Sequence, residues 1–234
     1  MKRLRLFAGP NGSGKSTLKD ILSEKLLGIY INPDEIEKEL KTGLDFKKFK
    51  LNVSKSQIIE FFDKNKEFYQ IDLKTTKIQD NFFQIDNPNS YIASILSSFI
   101  RYNLLNTSNS FTFESVMSSI DKVGFLKKAK QKGFRVYLYF IATYDPIINI
   151  QRVKNRVKLG GHNVPEDKII SRYYRSIQNL SKAIKYTDRC YIFDNSNAKR
   201  SWLCEITEAK KVEIKVDEVP EWFMNVLNNL KEKK

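Results

Sequence analysis

The run Gly9-Pro10-Asn11-Gly12-Ser13-Gly14-Lys15-Ser16, followed by Thr17, satisfies the pattern G-x-x-x-x-G-K-[ST] in full. Glycines in such a run let the backbone wrap with its N–H groups turned inward, where they can bond phosphate oxygens. Lys15 then reaches the outer phosphates, and the Ser16 hydroxyl is a ligand for Mg²⁺. The context also fits, with an apolar stretch before the loop and "KSTLKDILSEKLL" as a helix behind it. Gly9 through Thr17 are therefore candidate ATP-binding residues, with ATP and Mg²⁺ as the implied cofactors.

Three further clusters bear on what a bound phosphate would do. Asp34, in "YINPDEIEKEL", falls just beyond the second apolar stretch, where a carboxylate could orient a substrate hydroxyl and accept its proton. The same residues make a good helix start, with Asn32 as N-cap, Pro33 at the first helical position and Asp34 complementing the dipole. Both readings stay open. In "NSFTFESVMSS", Glu114 ends an alternating apolar strand and could bind a substrate hydroxyl, with Ser115 beside it.

The third cluster is "INIQRVKNRVKLGGHNVPEDKIISRYYRSIQNL". Arg152 and Arg156 are four apart on one helix face, Gly160-Gly161-His162 reads as a flexible joint, and Arg172 and Arg175 follow on the next helix. Arginines around a hinge suit a lid over 150–180 that closes on the transferring phosphate, neutralises its charge and excludes water. A solvated basic face is the plainer reading of the same run. His162 is the only histidine, and no metal-ligand set surrounds it in the sequence.

Short apolar runs alternate with helical patterns along the chain. Strands are expected at Arg3–Ala8, Gly28–Asn32, Ser110–Glu114, Arg135–Thr143 and Asp188–Asp194. Helices are expected at about 15–27, 34–41, 90–106, 118–132, 146–159 and 165–184. That alternation predicts an α/β fold with a mainly parallel five-stranded sheet and helices on both faces, as one domain. Ligands in such sheets bind at the carboxyl ends of the strands. Residues 42–88 mix lysine and phenylalanine and read as a partly helical insertion, a cap over the site. Residues 197–234 read as a hairpin followed by an amphipathic helix.

The totals narrow the class. With 234 residues and 41% apolar content the chain can bury one good-sized core. Its longest clean apolar run, "VYLYFIA", is far too short to cross a bilayer, and no signal peptide is visible, so a cytoplasmic protein is expected. The two cysteines suggest neither a metal site nor a disulfide framework. A net charge of +14 fits either a lysine-rich soluble surface or attraction to nucleic acid. An N-K-x-D guanine reader is missing, as is an L-S-G-G-Q signature, which weighs against a GTPase and against an ABC-type machine.

Taken together, "FAGPNGSGKST", "NPDEI", "SFTFES", the arginine–glycine–histidine segment and "YIFDNS" make the chain resemble the zeta-toxin family of P-loop kinases, including a branch labelled as predicted ABC-type ATPases. The resemblance implies a P-loop kinase fold, Lys15 as a phosphate ligand, Asp34 as catalytic base and Glu114 as a substrate contact; on the lid reading Arg152 and Arg156 join Lys15 as candidate catalytic cations, with Arg172 and Arg175 as candidate substrate contacts. Characterised toxins of that family phosphorylate UDP-N-acetylglucosamine and are silenced by a small antitoxin. After its glutamate the typical toxin has a threonine and then an arginine; here the run is Ser115-Val116-Met117-Ser118, without either. The expected activity is transfer of the γ-phosphate of ATP to a hydroxyl of a small molecule, UDP-sugars among them. A nucleic-acid or nucleotide kinase, and a nucleotide-binding module of a toxin–antitoxin pair without turnover, are the alternatives.

Overall fold

The computed structural model describes residues 1–64 and 76–231. In chain order the first strands are β1 (Arg3–Ala8), β2 (Ile29–Ile31), β3 (Leu44–Asp45), β4 (Thr76–Gln79) and β5 (Phe82–Ile85). They are followed by β6 (Ser110–Ser115), β7 (Arg135–Ala142), β8 (Arg189–Asp194), β9 (Ser201–Thr207) and β10 (Lys211–Ile214). The α-helices begin with α1 (Glu24–Leu27), α2 (Pro33–Glu39), α3 (Lys55–Asp63) and α4 (Ser90–Thr107). After β6 come α5 (Asp121–Gln131), α6 (Pro146–Lys158), α7 (Glu166–Ile184) and α8 (Glu221–Lys231).

Contacts divide the chain into two units, Met1–Leu27 with Glu114–Lys234, and Gly28–Phe113. In the first unit the strand order is β10-β9-β8-β7-β1. The β1–β7 and β7–β8 pairs are parallel, as expected, while β8–β9 and β9–β10 are antiparallel. The C-terminal hairpin is thus not an appendage: it lies along the edge of β8 and lengthens the sheet beyond the expected parallel strands. Leu4, Leu6, Val136, Leu138, Phe140 and Ile192 point to one face of this sheet and are fully buried. Trp222 of α8 covers Phe140 there, at 6.1 Å between ring centroids, and α8 packs in turn on α7.

The second unit holds the other two expected parallel strands, with β2 paired to β6. It also holds a small antiparallel sheet, β3-β5-β4, so the described part of 42–88 adds strands to the expected helix, which is α3; 65–75 lie outside the described residues. Its mixture of phenylalanine and lysine sorts by burial. Phe46, Phe62 and Phe83 are buried, with Phe62 stacked on Phe83 and Phe46 edge-on to Phe99 of α4, while Lys47, Lys48 and Lys55 face solvent. This unit runs well beyond 42–88 and takes in β2, α2 and α4.

One expected helix is broken. In place of a continuous helix over 15–27, a 3₁₀ helix spans Lys15–Ile21 and the short α1 follows. Gly14, at φ 97°, starts it in the left-handed region, and the Thr17 and Leu22 N–H groups bond three residues back, to Gly14 and Lys19. The Thr17 hydroxyl takes the Gly14 carbonyl as well, at 2.9 Å, and so reinforces the tighter turn. Among the described residues no helix is long and apolar enough to cross a membrane.

Candidate active site

β1 ends at Ala8 and delivers the chain into the glycine loop. Gly12 there has φ 75°, and a Cβ on it would stand 2.6 Å from the Asn149 carbonyl oxygen, so only glycine lets the loop lie this close to α6. Two asparagines hold the loop from outside. Asn149 Nδ2 donates to the Asn11 carbonyl at 2.6 Å, and Asn195 Nδ2 donates to the Ser13 carbonyl at 2.9 Å. Asn149 lies in the first turns of α6, which Asp145 caps by accepting from Ile147 N at 2.7 Å. The Thr143 hydroxyl takes Asn149 Oδ1, which orients the amide with its donor toward the loop. Asn195 stands directly after β8, its N–H bonded to the Ala142 carbonyl of β7 at 2.8 Å.

The loop interior is polar and unsatisfied. Ser13 is fully buried, and its Oγ, like Asn11 Oδ1, has no hydrogen-bond partner among the described residues. Leaving such an atom unpaired costs about 1–3 kcal/mol. A hydroxyl donor, Lys15 and glycine N–H groups in one cradle suit a polyphosphate. Lys15 Nζ donates to the Pro10 carbonyl at 2.9 Å, across the loop's mouth. Arg200 Nη1 donates to Thr17 Oγ1 at 3.0 Å.

Ser16 and Glu114 are brought together. The Ser16 hydroxyl donates to Glu114 Oε2 at 3.3 Å, a long bond, and Glu114 is only 5% exposed. β6 is tied to the loop by Gly9 N, which donates to the Ser115 carbonyl at 3.3 Å. The Ser115 hydroxyl itself closes a turn, accepting from Met117 N at 3.0 Å. Among the described residues no three His, Cys, Asp or Glu side chains form a metal cluster. A Mg²⁺ held by one hydroxyl and the nucleotide's own oxygens needs no such cluster.

The arginines follow from the helix that carries Asn149. Positions 149, 152 and 156 share one stripe of α6, so Arg152 and Arg156 continue along the side that meets the loop. Arg152 is half-buried, and its Nη1 is enclosed without a hydrogen-bond partner among the described residues. Arg156 Nη2 donates to the His162 carbonyl at 2.8 Å. The glycine pair is not an open joint. Gly160 N bonds the Val157 carbonyl and Gly161 N the Arg156 carbonyl, both at 2.9 Å, which closes α6 in a Schellman cap. Ile150 and Val153 of α6 pack with Val164 and Ile169, so α6 and α7 share a small core.

On α7, Arg172 is half-buried, while Arg175 is exposed and bonds the Ser171 carbonyl at 3.3 Å. The polar residues of α7 that reach other elements are ones the sequence reading passed over. Tyr173 donates to the Thr143 carbonyl at 2.6 Å, and burial pushes its hydroxyl well above the ordinary range. Ser176 and Asn179 donate to the Val116 and Met117 carbonyls at 2.7 and 3.0 Å, pinning the segment that follows Glu114. Asp34 belongs to the second unit. It is exposed in the first turn of α2, where Asn32 Oδ1 accepts from its N–H at 2.9 Å, so the helix-start reading holds.

Residues 93–206, from α4 to β9, match the zeta toxin family model. The match takes in Glu114, α6, α7, Asn195 and Arg200, whereas the glycine loop precedes it. A 63-residue stretch is 41% identical to an uncharacterised protein of Haemophilus influenzae, covering 27% of this chain and 45% of that protein. Among solved structures, a chain of the AvrRxo1-ORF1:-ORF2 complex with ATP superposes with a TM-score of 0.60 at 12% identity, over 97% of this chain and 63% of that one. A chain from the PezAT chromosomal toxin–antitoxin system of Streptococcus pneumoniae gives 0.52 at 14% identity, over 99% and 87%. At these identities the likeness is one of fold, a mixed α/β fold with a mainly parallel sheet. The chain spans less than two thirds of the H. influenzae and AvrRxo1 proteins.

Proposed function

We propose that this chain is a zeta-toxin-like phosphotransferase that moves the γ-phosphate of ATP, with Mg²⁺, to a hydroxyl of a small molecule, UDP-sugars among the candidate acceptors. The observation that carries this reading is the loop itself, braced by Asn149 and Asn195, with its serine on a buried carboxylate. ATP supplies the phosphoryl group, and Mg²⁺ would share its charge. Lys15, the Ser13 hydroxyl and the loop N–H groups bind phosphate oxygens, and Ser16 is the protein's metal ligand. Glu114 positions the acceptor hydroxyl, and Asp34 accepts its proton. Arg152 and Arg156 neutralise charge on the transferring group, Arg172 and Arg175 contact substrate, and the lid helices keep water out. The likeness to a chain of the PezAT toxin–antitoxin system supports a small protein antitoxin as partner.

Transfer of labelled γ-phosphate to UDP-sugars, other hydroxylated metabolites and short oligonucleotides tests the reading. Lys15→Ala and Asp34→Asn run beside the wild type. Label on a small molecule, lost in both variants, is the expected outcome. Label on oligonucleotides alone would make the chain a nucleic-acid kinase, the reading that its +14 charge favours. ATP binding without label on any acceptor would sink phosphotransfer and leave a nucleotide-binding module.

A further inference from the structure

The first unit's sheet has a second face, and its composition is unlike the first. Register places Arg3 beside Arg135, and Arg5 beside Tyr137, which in turn pairs with Arg189. The same row continues through Thr207 to Lys211, so it crosses all five strands of this unit. Four inter-strand steps make it about 19 Å long. The next row sets Tyr191 between Tyr139 and Glu205, and Trp202 lies near Tyr191 at 6.4 Å.

Much of this face is open to solvent. Arg3 and Lys211 are exposed, Arg135, Tyr137 and Tyr191 are half-buried, and Trp202 is 42% exposed. Cations and rings interleave, with Arg135 5.8 Å from the Tyr137 centroid and Lys215 5.2 Å from that of Trp202. The acids on the face are Glu205, paired with Arg189 at 3.0 Å, and Glu213, between Lys211 and Lys215. Arg5 is buried, so five cations (Arg3, Arg135, Arg189, Lys211, Lys215) against these two acids leave a surplus of three positive charges at the surface. Arg3, Arg135 and Arg189 open their strands, at the end away from the glycine loop.

We propose that this arginine–tyrosine–tryptophan face of the sheet is a docking surface for single-stranded nucleic acid. The charge surplus matches a phosphate backbone, and flat rings between arginines offer stacking to bases. Sheets of this kind accommodate about two or three stacked bases. An acidic polypeptide would satisfy the cations but has no use for the exposed rings. The inference stands apart from the phosphotransfer reading, since none of these residues belongs to the proposed catalytic set.

The test is binding of a fluorescein-labelled ten-residue oligouridylate to the full chain, followed by anisotropy across a salt series and by tryptophan emission. Trp222 is only 7% exposed, so quenching on binding reports Trp202. The triple variant Arg3→Gln/Arg135→Gln/Lys211→Gln should bind at least about tenfold more weakly and flatten the log–log salt slope by roughly 2, at about 0.7 per lost contact. A control with Lys127→Gln, Lys132→Gln and Lys182→Gln, all on or beside helices, removes the same charge and should bind like the wild type. Trp202→Phe should abolish the quench while retaining most of the affinity.

Equal weakening of the control would reduce the effect to net charge and overturn the proposal. So would binding without any change in Trp202 emission, or no binding at low salt. Oligoglutamate of matching charge binding as tightly as the oligonucleotide would assign the face to an acidic protein instead.

Discussion

Gly160 and Gly161 are neighbours at the end of α6, yet the same substitution would meet different obstacles. At Gly160 φ is 81° and nothing lies within 4 Å of an added Cβ, so alanine meets only left-handed strain, about 1 kcal/mol. At Gly161 the Cβ would come 2.5 Å from Arg156 Cγ and 2.9 Å from the Arg156 carbonyl oxygen, so the arginine must move. Gly160→Ala should therefore lower thermal stability and leave phosphotransfer near the wild-type rate. Gly161→Ala should slow transfer by at least about tenfold through the displaced guanidinium. Unfolding curves and initial rates on the same two preparations check both. The sequence shows a glycine pair after a helix but not which glycine touches an arginine. Asn149 and Asn195 were equally hard to read, since a single amide has no spacing pattern. One signal was there for Asn195, which follows a strand at its carboxyl end.

Among the elements, the hairpin of β9 and β10 is built against its own turn chemistry. Glu208 and Ala209 both lie in the left-handed region, at φ 51° and 55°, where glycine or asparagine is the usual choice. Ala209→Gly should raise stability by about 0.5–1 kcal/mol, once glycine's extra chain entropy is set against the relieved strain. A higher urea midpoint at unchanged m-value is the expected record. The hairpin could be read from alternation in "RSWLCEI" and "KVEIKV", but its seat beside β8 could not. Alternation identifies which side chains share a face, whereas the partner across the ladder is chosen by the whole sheet. The same holds for 42–88, where the phenylalanines announced burial and the small antiparallel sheet did not show.

At the scale of the molecule, both cysteines lie in the first unit, on adjacent strands, and neither is in a disulfide. Burial pushes the Cys190 thiol well above its ordinary range and that of Cys204 to about 11. Since the thiolate is the reacting form, both should alkylate at pH 8 at least about a hundredfold more slowly than in denaturant, at a rate set by opening of the fold. Iodoacetamide labelling followed by mass spectrometry reads this directly. Fast labelling of either in the native protein would show that the sheet's covered face opens on its own. The surplus of positive charge, spread along the sequence, takes on a pattern only in the folded sheet, where one face collects arginines and rings.

The glycine loop, the alternation of strand and helix, the apolar core positions and the start of α2 at Asn32 are properties of near neighbours in the chain, and the sequence alone determined them. The bond between Ser16 and Glu114, the bracing of the loop by Asn149 and Asn195, and the basic face of the sheet were decided by the tertiary structure. They join residues separated by as many as 182 positions, as Ser13 and Asn195 are. Such pairs are set by which strands lie side by side and how their registers fall, and local propensity carries no record of that choice.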